Sequence, residues 1–244
     1  LCFSSPFDES AIDFLESLDV PAYKIASFEC IDLPLIKKAA NTKKPLIIST
    51  GMASIVEIGD AVEAARGAGC KNLVLLKCTS TYPASPENTN LNTIAHMREL
   101  FNCEVGLSDN TLGIGVAIAA VAVGVTVIEK HFTLLRSDGG VDSAFSLEPN
   151  EMKSLALESE RAFQALGEIR YGPTEAEEDS RSRRRSLYIG EDMKAGETLT
   201  PKNLRRVRPG NGLLPKYYES LLGKRVKFDV SKGTPVSWDI ILDK

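Results

Sequence analysis

Cysteine pairing signals are missing from this sequence of 244 residues: its five cysteines include no Cys-x-x-Cys pair and show no regular spacing. That argues against a disulfide framework and predicts reduced thiols. Long apolar runs are also lacking. The longest, Gly113 to Gly124, is too short to span a bilayer and is expected to form a buried helix. No signal peptide is recognisable, so a cytoplasmic protein with no membrane partner is expected. Excess positive charge is absent as well. The net charge of −4, with both signs abundant, argues against a nucleic-acid-binding surface. No Gly-x-Gly-x-x-Gly follows a predicted strand, which counts against an open dinucleotide-binding sheet. Histidine is scarce, with only His96 and His131 present.

What is present supports a sizeable core. A hydrophobic fraction of 43% and this length fit one large domain or a medium domain plus a small one. Up to about residue 170, short apolar runs ending in small polar residues alternate with amphipathic stretches. The predicted strands are Leu1 to Ser5, Tyr23 to Ser27, Pro45 to Thr50, Leu73 to Thr79, Glu104 to Ser108 and Val125 to Phe132. Asp8 is placed to cap a first helix. Ser54 and Glu57 form a capping box, and a long helix from about Asn150 is expected to stop at Gly167. This alternation indicates βαβ units around a parallel sheet. Polar residues gather at the C-terminal ends of the strands, where a (β/α)₈ barrel carries its active site. The sequence therefore predicts an α/β fold of TIM-barrel type with two strands lacking at the front. The strand-like Leu1-Cys2-Phe3 leads to the expectation that the sequence begins inside a domain. An open doubly wound sheet is the rival. Residues 171–185 are charged and punctuated by proline and glycine, as in a linker. Residues 186–244 have the short runs and turns of a small β-rich domain.

Several residues stand out chemically. Lys24 lies in an apolar strand, where a charge needs a partner. Its spacing fits a phosphate or carboxylate ligand at the mouth as well as it fits a cap of the barrel bottom or a pairing with a glutamate. Ser5, Ser49, Ser80 and Ser108 each fall at a strand end. One such serine is ordinary turn chemistry, whereas several around one rim would ring a phosphate with donors. Glu129-Lys130-His131 ends the sixth run. Asn110, at the end of the neighbouring run, would stand close to His131. A nitrogen and an amide oxygen could hold a divalent ion weakly, although a lone histidine has other uses. His96 sits in a predicted helix and reads as a surface or core residue.

These residues belong to longer matches. Ser4-Ser5-Pro6-Phe7, Tyr23-Lys24-Ile25-Ala26-Ser27-x-Glu29, Ile48-Ser49-Thr50-Gly51-Met52, Cys78-Thr79-Ser80-x-Tyr82-Pro83, Leu107-Ser108-Asp109-x-Thr111-Leu112-Gly113, Ile128 to Leu134 and Ser146-Leu147-Glu148-Pro149 resemble the sialic acid synthase family in order and spacing. Arg208-Pro209-Gly210-Asn211-Gly212 resembles the signature of that family's antifreeze-like (SAF) domain. Ser27-Phe28-Glu29 and Gly139 to Ser146 are most similar to the family's pseudaminate-forming branch.

The resemblance implies an enzyme that condenses phosphoenolpyruvate with an N-acetylated amino sugar. It implies that Ser5, Lys24, Ser27, Ser49, Ser80 and Ser108 hold phosphoenolpyruvate, and that Glu129 works beside the reacting centre with Lys24 and His131. Glu29, Tyr82, Asp142 and Arg208 fall at sugar-side positions. His131 and Asn110 fall at the positions of a divalent metal, Mn²⁺ or Mg²⁺. A domain-swapped homodimer, with Arg208 reaching a neighbouring barrel, is implied too. Asn110 departs from the family's second metal histidine, and an amide oxygen is the poorer ligand for manganese. A degenerate sugar- or phosphate-binding homologue is the non-enzymatic alternative.

Overall fold

Local signals start most helices where expected. The computed structural model describes residues 1–242. Asp8 Oδ1 accepts from the backbone N–H of Ala11 and opens α1 (Glu9–Ser17). Asp32 caps α2 (Leu33–Asn41) in the same way through Leu35. The Ser54–Glu57 capping box opens α3 (Ile55–Gly67). The next helices are α4 (Thr93–Phe101), α5 (Gly115–Ala122) and α6 (Pro149–Leu166). Proline at the first position of α6 and Gly167 just beyond it follow the usual asymmetry of helix ends.

Between the helices run β1 (Tyr23–Ile25), β2 (Leu46–Ser49), β3 (Leu73–Cys78), β4 (Glu104–Asp109) and β5 (Ile128–Lys130). All pair in parallel, in the order β1-β2-β3-β4-β5. The result is an open half-barrel sheet with helices on its outer face. Alternation divides the side chains cleanly. Tyr23, Ile25, Leu46, Ile48, Leu75, Val105 and Leu107 face the helices and form the core with Ile12, Ile36, Ala61 and Ile94. Their neighbours in sequence, Lys24, Ser49, Cys78 and Ser108, face the inner side.

Two expected strands differ from the structure. Leu1 to Ser5 is not a strand. It makes one long backbone hydrogen bond, from Lys24 N to Ser4 O at 3.4 Å, and its Leu1 and Phe3 are exposed. A segment that gains one ladder bond and buries little apolar surface lacks what holds an edge strand. The expected run from Val125 to Phe132 narrows to Ile128–Lys130, with Phe132 making only an isolated bridge to Leu147. Five strands therefore stand where six were read. The run after β1 also ends early, because Ser27 opens a 3₁₀ turn (Ser27–Ile31). Helix α5 is buried on one face only, through Ala117, Ala120 and Val121. Among the described residues, no helix is long and apolar enough to cross a membrane.

The chain divides into two compact units, Leu1–Glu168 and Ile169–Lys244. In the second, a 3₁₀ turn and the short α7 (Glu178–Arg181) precede β6 (Ser186–Ile189). Strand β6 pairs antiparallel with β7 (Leu204–Val207), and α8 (Tyr218–Leu221) follows. The core of this unit is Leu187, Ile189, Met193, Leu199, Leu204, Leu221, Val226, Val230 and Val236, with Ile240 and Ile241. Gly212 fits its loop against β6 because it lacks a Cβ, which would fall 2.2 Å from the Leu187 carbonyl oxygen. The fully buried Ser186 stitches the same loop down: its Oγ donates to Pro209 O at 2.7 Å and accepts from Gly212 N at 2.9 Å.

Candidate active site

The inner side chains at the C-terminal ends of the strands converge on one cavity of about 350 Å³. Ser5, Lys24, Ala26, Ser27, Ser49, Cys78, Tyr82, Ser108, Asn110, Glu129, Lys130 and His131 line it. Nine of these twelve residues were expected at the site from the sequence, and the nine come from six separate stretches of chain. The parallel register explains the convergence: Cys78 lies opposite Ser108, and Ser108 opposite Glu129.

Lys24 is buried and fully engaged. Its Nζ donates to Ser49 Oγ at 2.7 Å and to Ile25 O at 3.3 Å, and it faces Glu129 Oε2 at 3.4 Å. The structure thus pairs it with the internal glutamate while leaving it on the cavity wall. Glu129 in turn accepts from Ser108 Oγ at 2.6 Å. The carboxylate, two hydroxyls and the ammonium form one connected network whose dipoles are set in advance.

Around His131 the surroundings are aromatic. His131 packs edge to face against Tyr82 and Phe145, which are tilted against each other, with ring centroids 5.0 to 5.9 Å apart. Asp142 Oδ2 lies 3.5 Å from His131 Nδ1 and holds that side of the imidazole. Burial pushes the Tyr82 hydroxyl above its usual range, and the nearby Asp142 and Glu129 charges act in the same direction. It therefore stays a neutral donor at physiological pH. Asn110 Nδ2 donates to Thr79 O at 2.9 Å, which leaves its oxygen as the free ligating atom. His131 and that oxygen are two donors suited to a hard divalent ion. Among the described residues no three His, Cys, Asp or Glu side chains surround one point. The remaining ligands of such an ion would come from water and substrate.

Four expected residues are not among those that line the cavity. Asp142 meets it only through His131. Ser80 is packed beside Gly51, with its Oγ 4.0 Å from the lining Cys78 Sγ. Glu29 is half-buried in the turn after β1, and its Oε2 is buried with no hydrogen-bond partner among the described residues. Arg208 is exposed in the second unit. His96 is exposed on α4, the surface position that was one of the two expected for it.

The sequence reading missed two features. Cys78 lines the cavity, its Sγ 3.7 Å from Asn110 Nδ2. Strand alternation two residues beyond Leu76 was the signal that could have found it. The second is Gly51, at φ +46°. A Cβ there would fall 2.5 Å from Ser27 Cβ and 2.6 Å from Ser80 Oγ. Only glycine lets the turn after β2 lie flat against both serines. Gly51→Ala is expected to lose about 1–2 kcal/mol of stability from the left-handed backbone. By displacing Ser27 it is expected to cost activity by up to about 10². Thermal melts and steady-state kinetics read the two effects separately.

The comparisons with known proteins agree with this geometry. The NeuB family profile matches residues 1–171, and the SAF domain profile matches residues 184–242. Pseudaminic acid synthase of Helicobacter pylori is 43% identical over 241 residues, covering 98% of this chain and 71% of that protein. Pseudaminic acid synthase of Campylobacter jejuni is 44% identical over 233 residues, covering 96% and 68%. The crystal structure of spore coat polysaccharide biosynthesis protein spsE from Bacillus subtilis superposes with a TM-score of 0.65 at 31% identity. That match covers 99% of this chain and 73% of the other. On sequence, fold and the convergence of these side chains, the chain belongs to the NeuB family and carries a SAF domain after its NeuB region.

Proposed function

We propose that the chain is a pseudaminic acid synthase-type enzyme, which condenses phosphoenolpyruvate with a 2,4-diacetamido-2,4,6-trideoxy hexose. The carrying observation is that Lys24, Ser49, Ser108, Glu129 and His131 meet in one cavity at the ends of a parallel sheet. A buried ammonium flanked by fixed hydroxyls suits a small phosphorylated acid. The names of the two pseudaminic acid synthases above support the choice of sugar.

In this reading, C3 of phosphoenolpyruvate bonds to the aldehyde carbon of the open-chain sugar, and the aldehyde oxygen gains a proton. Water adds at C2, and phosphate leaves from the tetrahedral centre. Lys24, Ser49 and Ser108, with Ser5 and Ser27 from the rim, hold the phosphorylated acid. Glu129 takes the proton of the water that adds at C2. Tyr82 and Asp142 orient the sugar, with Glu29 and Ser80 supporting the rim from the turns after β1 and β3. A divalent ion, Mn²⁺ or Mg²⁺, held by His131 and Asn110 supplies Lewis acidity to the sugar carbonyl when bound. A homodimer in which Arg208 serves a neighbouring copy belongs to the same proposal.

Phosphate release by the purified chain, with added Mn²⁺, phosphoenolpyruvate and each candidate sugar, tests it. The trideoxy hexose is expected to be turned over fastest. Faster release with N-acetylmannosamine, or with the legionaminate precursor, would reassign the sugar. Phosphoenolpyruvate binding by calorimetry with no release from any sugar would favour the degenerate binding homologue.

A further inference from the structure

The site depends on one short ladder. Strand β5 has three residues and lies at the edge of its sheet. It meets β4 through Leu107 with Ile128, Ser108 with Glu129, and Asp109 with Lys130. A slip of one residue would turn Glu129 and His131 away from the cavity, because side chains alternate along a strand. Three pairs of an edge strand are a weak guarantee against that slip.

The third pair supplies what the ladder lacks. Lys130 Nζ lies 2.8 Å from Asp109 Oδ2, and the two side chains are 2% and 0% exposed. Lys130 Nζ also donates to the Thr111 carbonyl. Asp109 Oδ1 accepts from Thr111 N at 2.9 Å and from Thr111 Oγ1 at 2.7 Å. Lys130 itself reaches the cavity lining, but the two charged heads bond only each other and Thr111, and neither is bonded to another cavity side chain. Yet each member is flanked by two cavity residues: Asp109 by Ser108 and Asn110, Lys130 by Glu129 and His131. Buried ion pairs seldom add stability over apolar replacements, and their best-attested use is to fix register.

We propose that Asp109 and Lys130 are positioning residues, a buried interstrand clamp that sets the Ser108–Glu129 hydrogen bond and the inward facing of Asn110 and His131. The functional consequence rests on reading the cavity as a phosphoenolpyruvate site. The geometric consequence does not.

The test compares Lys130→Met with the double variant Asp109→Asn/Lys130→Met. The single change strands a buried carboxylate and is expected to lower the thermal midpoint by about 10 °C. The double change removes both charges and keeps an acceptor for Thr111. It is expected to melt within about 4 °C of the parent, yet to lose on the order of 10²-fold in turnover and about tenfold in phosphoenolpyruvate affinity by calorimetry. In a crystal structure of the double variant, the Ser108–Glu129 contact of 2.6 Å is expected to open. A double variant with parental turnover, affinity and contact overturns the proposal. So does one that cannot fold, since the pair would then be holding the fold and not the site. If the parent itself neither binds nor turns over phosphoenolpyruvate but the contact opens, the functional reading fails and the clamp stands.

Discussion

Lys24→Met is expected to lower turnover by about 10³-fold with little change in stability. The ammonium sits on the cavity wall, and its contacts among the described residues are all with cavity groups or its own strand: Ser49 Oγ, Ile25 O and Glu129 Oε2. Methionine fills similar space and leaves no donor. Its effect on folding is small because Glu129, the partner left behind, has a side chain 42% exposed and regains water. Breaking a pair costs several kcal/mol only when the abandoned charge stays buried. The loss therefore falls on ligand: phosphoenolpyruvate affinity is expected to drop together with turnover, read by calorimetry and by phosphate release. Lys24→Arg is expected to rescue little, because a planar fork does not occupy the place of a compact ammonium held by one hydroxyl. Activity near that of the parent in Lys24→Met would reduce Lys24 to a counter-ion for Glu129.

The parts of the fold that were legible in the sequence are those set by short-range chemistry. Asp8, Ser54 with Glu57, and Gly167 act on atoms within four residues, so their roles follow from sequence spacing alone. The cavity serines were legible for a related reason. A strand in an α/β unit ends where polar residues begin, and that end is where such folds place ligands. What stayed hidden depends on which segments meet. Leu1 to Ser5 has strand composition, but only its neighbours could show that it gains a single backbone hydrogen bond. Glu29 and Ser80 have the right residue types at the right strand ends, yet Glu29 lies within the 3₁₀ turn after β1 and Ser80 packs beside Gly51, and neither lines the cavity. The pairing of Asp109 with Lys130, and of His131 with Asp142, spans 21 and 11 residues and follows from register and loop path. Gly212 shows the same limit from the other side: the Arg-Pro-Gly-Asn-Gly run is visible in sequence, but its need for glycine is visible only beside the Leu187 carbonyl.

Glu129→Gln is expected to separate binding from chemistry. The amide keeps an acceptor for Ser108 Oγ and nearly the same shape, and it removes the negative charge 3.4 Å from Lys24. Lys24 is then less compensated, so an anionic ligand is attracted at least as strongly as before. The KM for phosphoenolpyruvate is expected to stay level or fall. Turnover is expected to fall by about 10²–10⁴-fold, because an amide cannot take a proton from the attacking water. This pattern is opposite in sign to that of Lys24→Met, where affinity and turnover fall together. The two variants thus probe one ion pair from its two ends, and each guards against a trivial reading of the other. If both weakened binding equally and slowed turnover equally, the pair would be a strut of the cavity wall. If Glu129→Gln alone kept full turnover, the base would have to be sought elsewhere, and Glu129 would serve only to hold Lys24 and Ser108 in place.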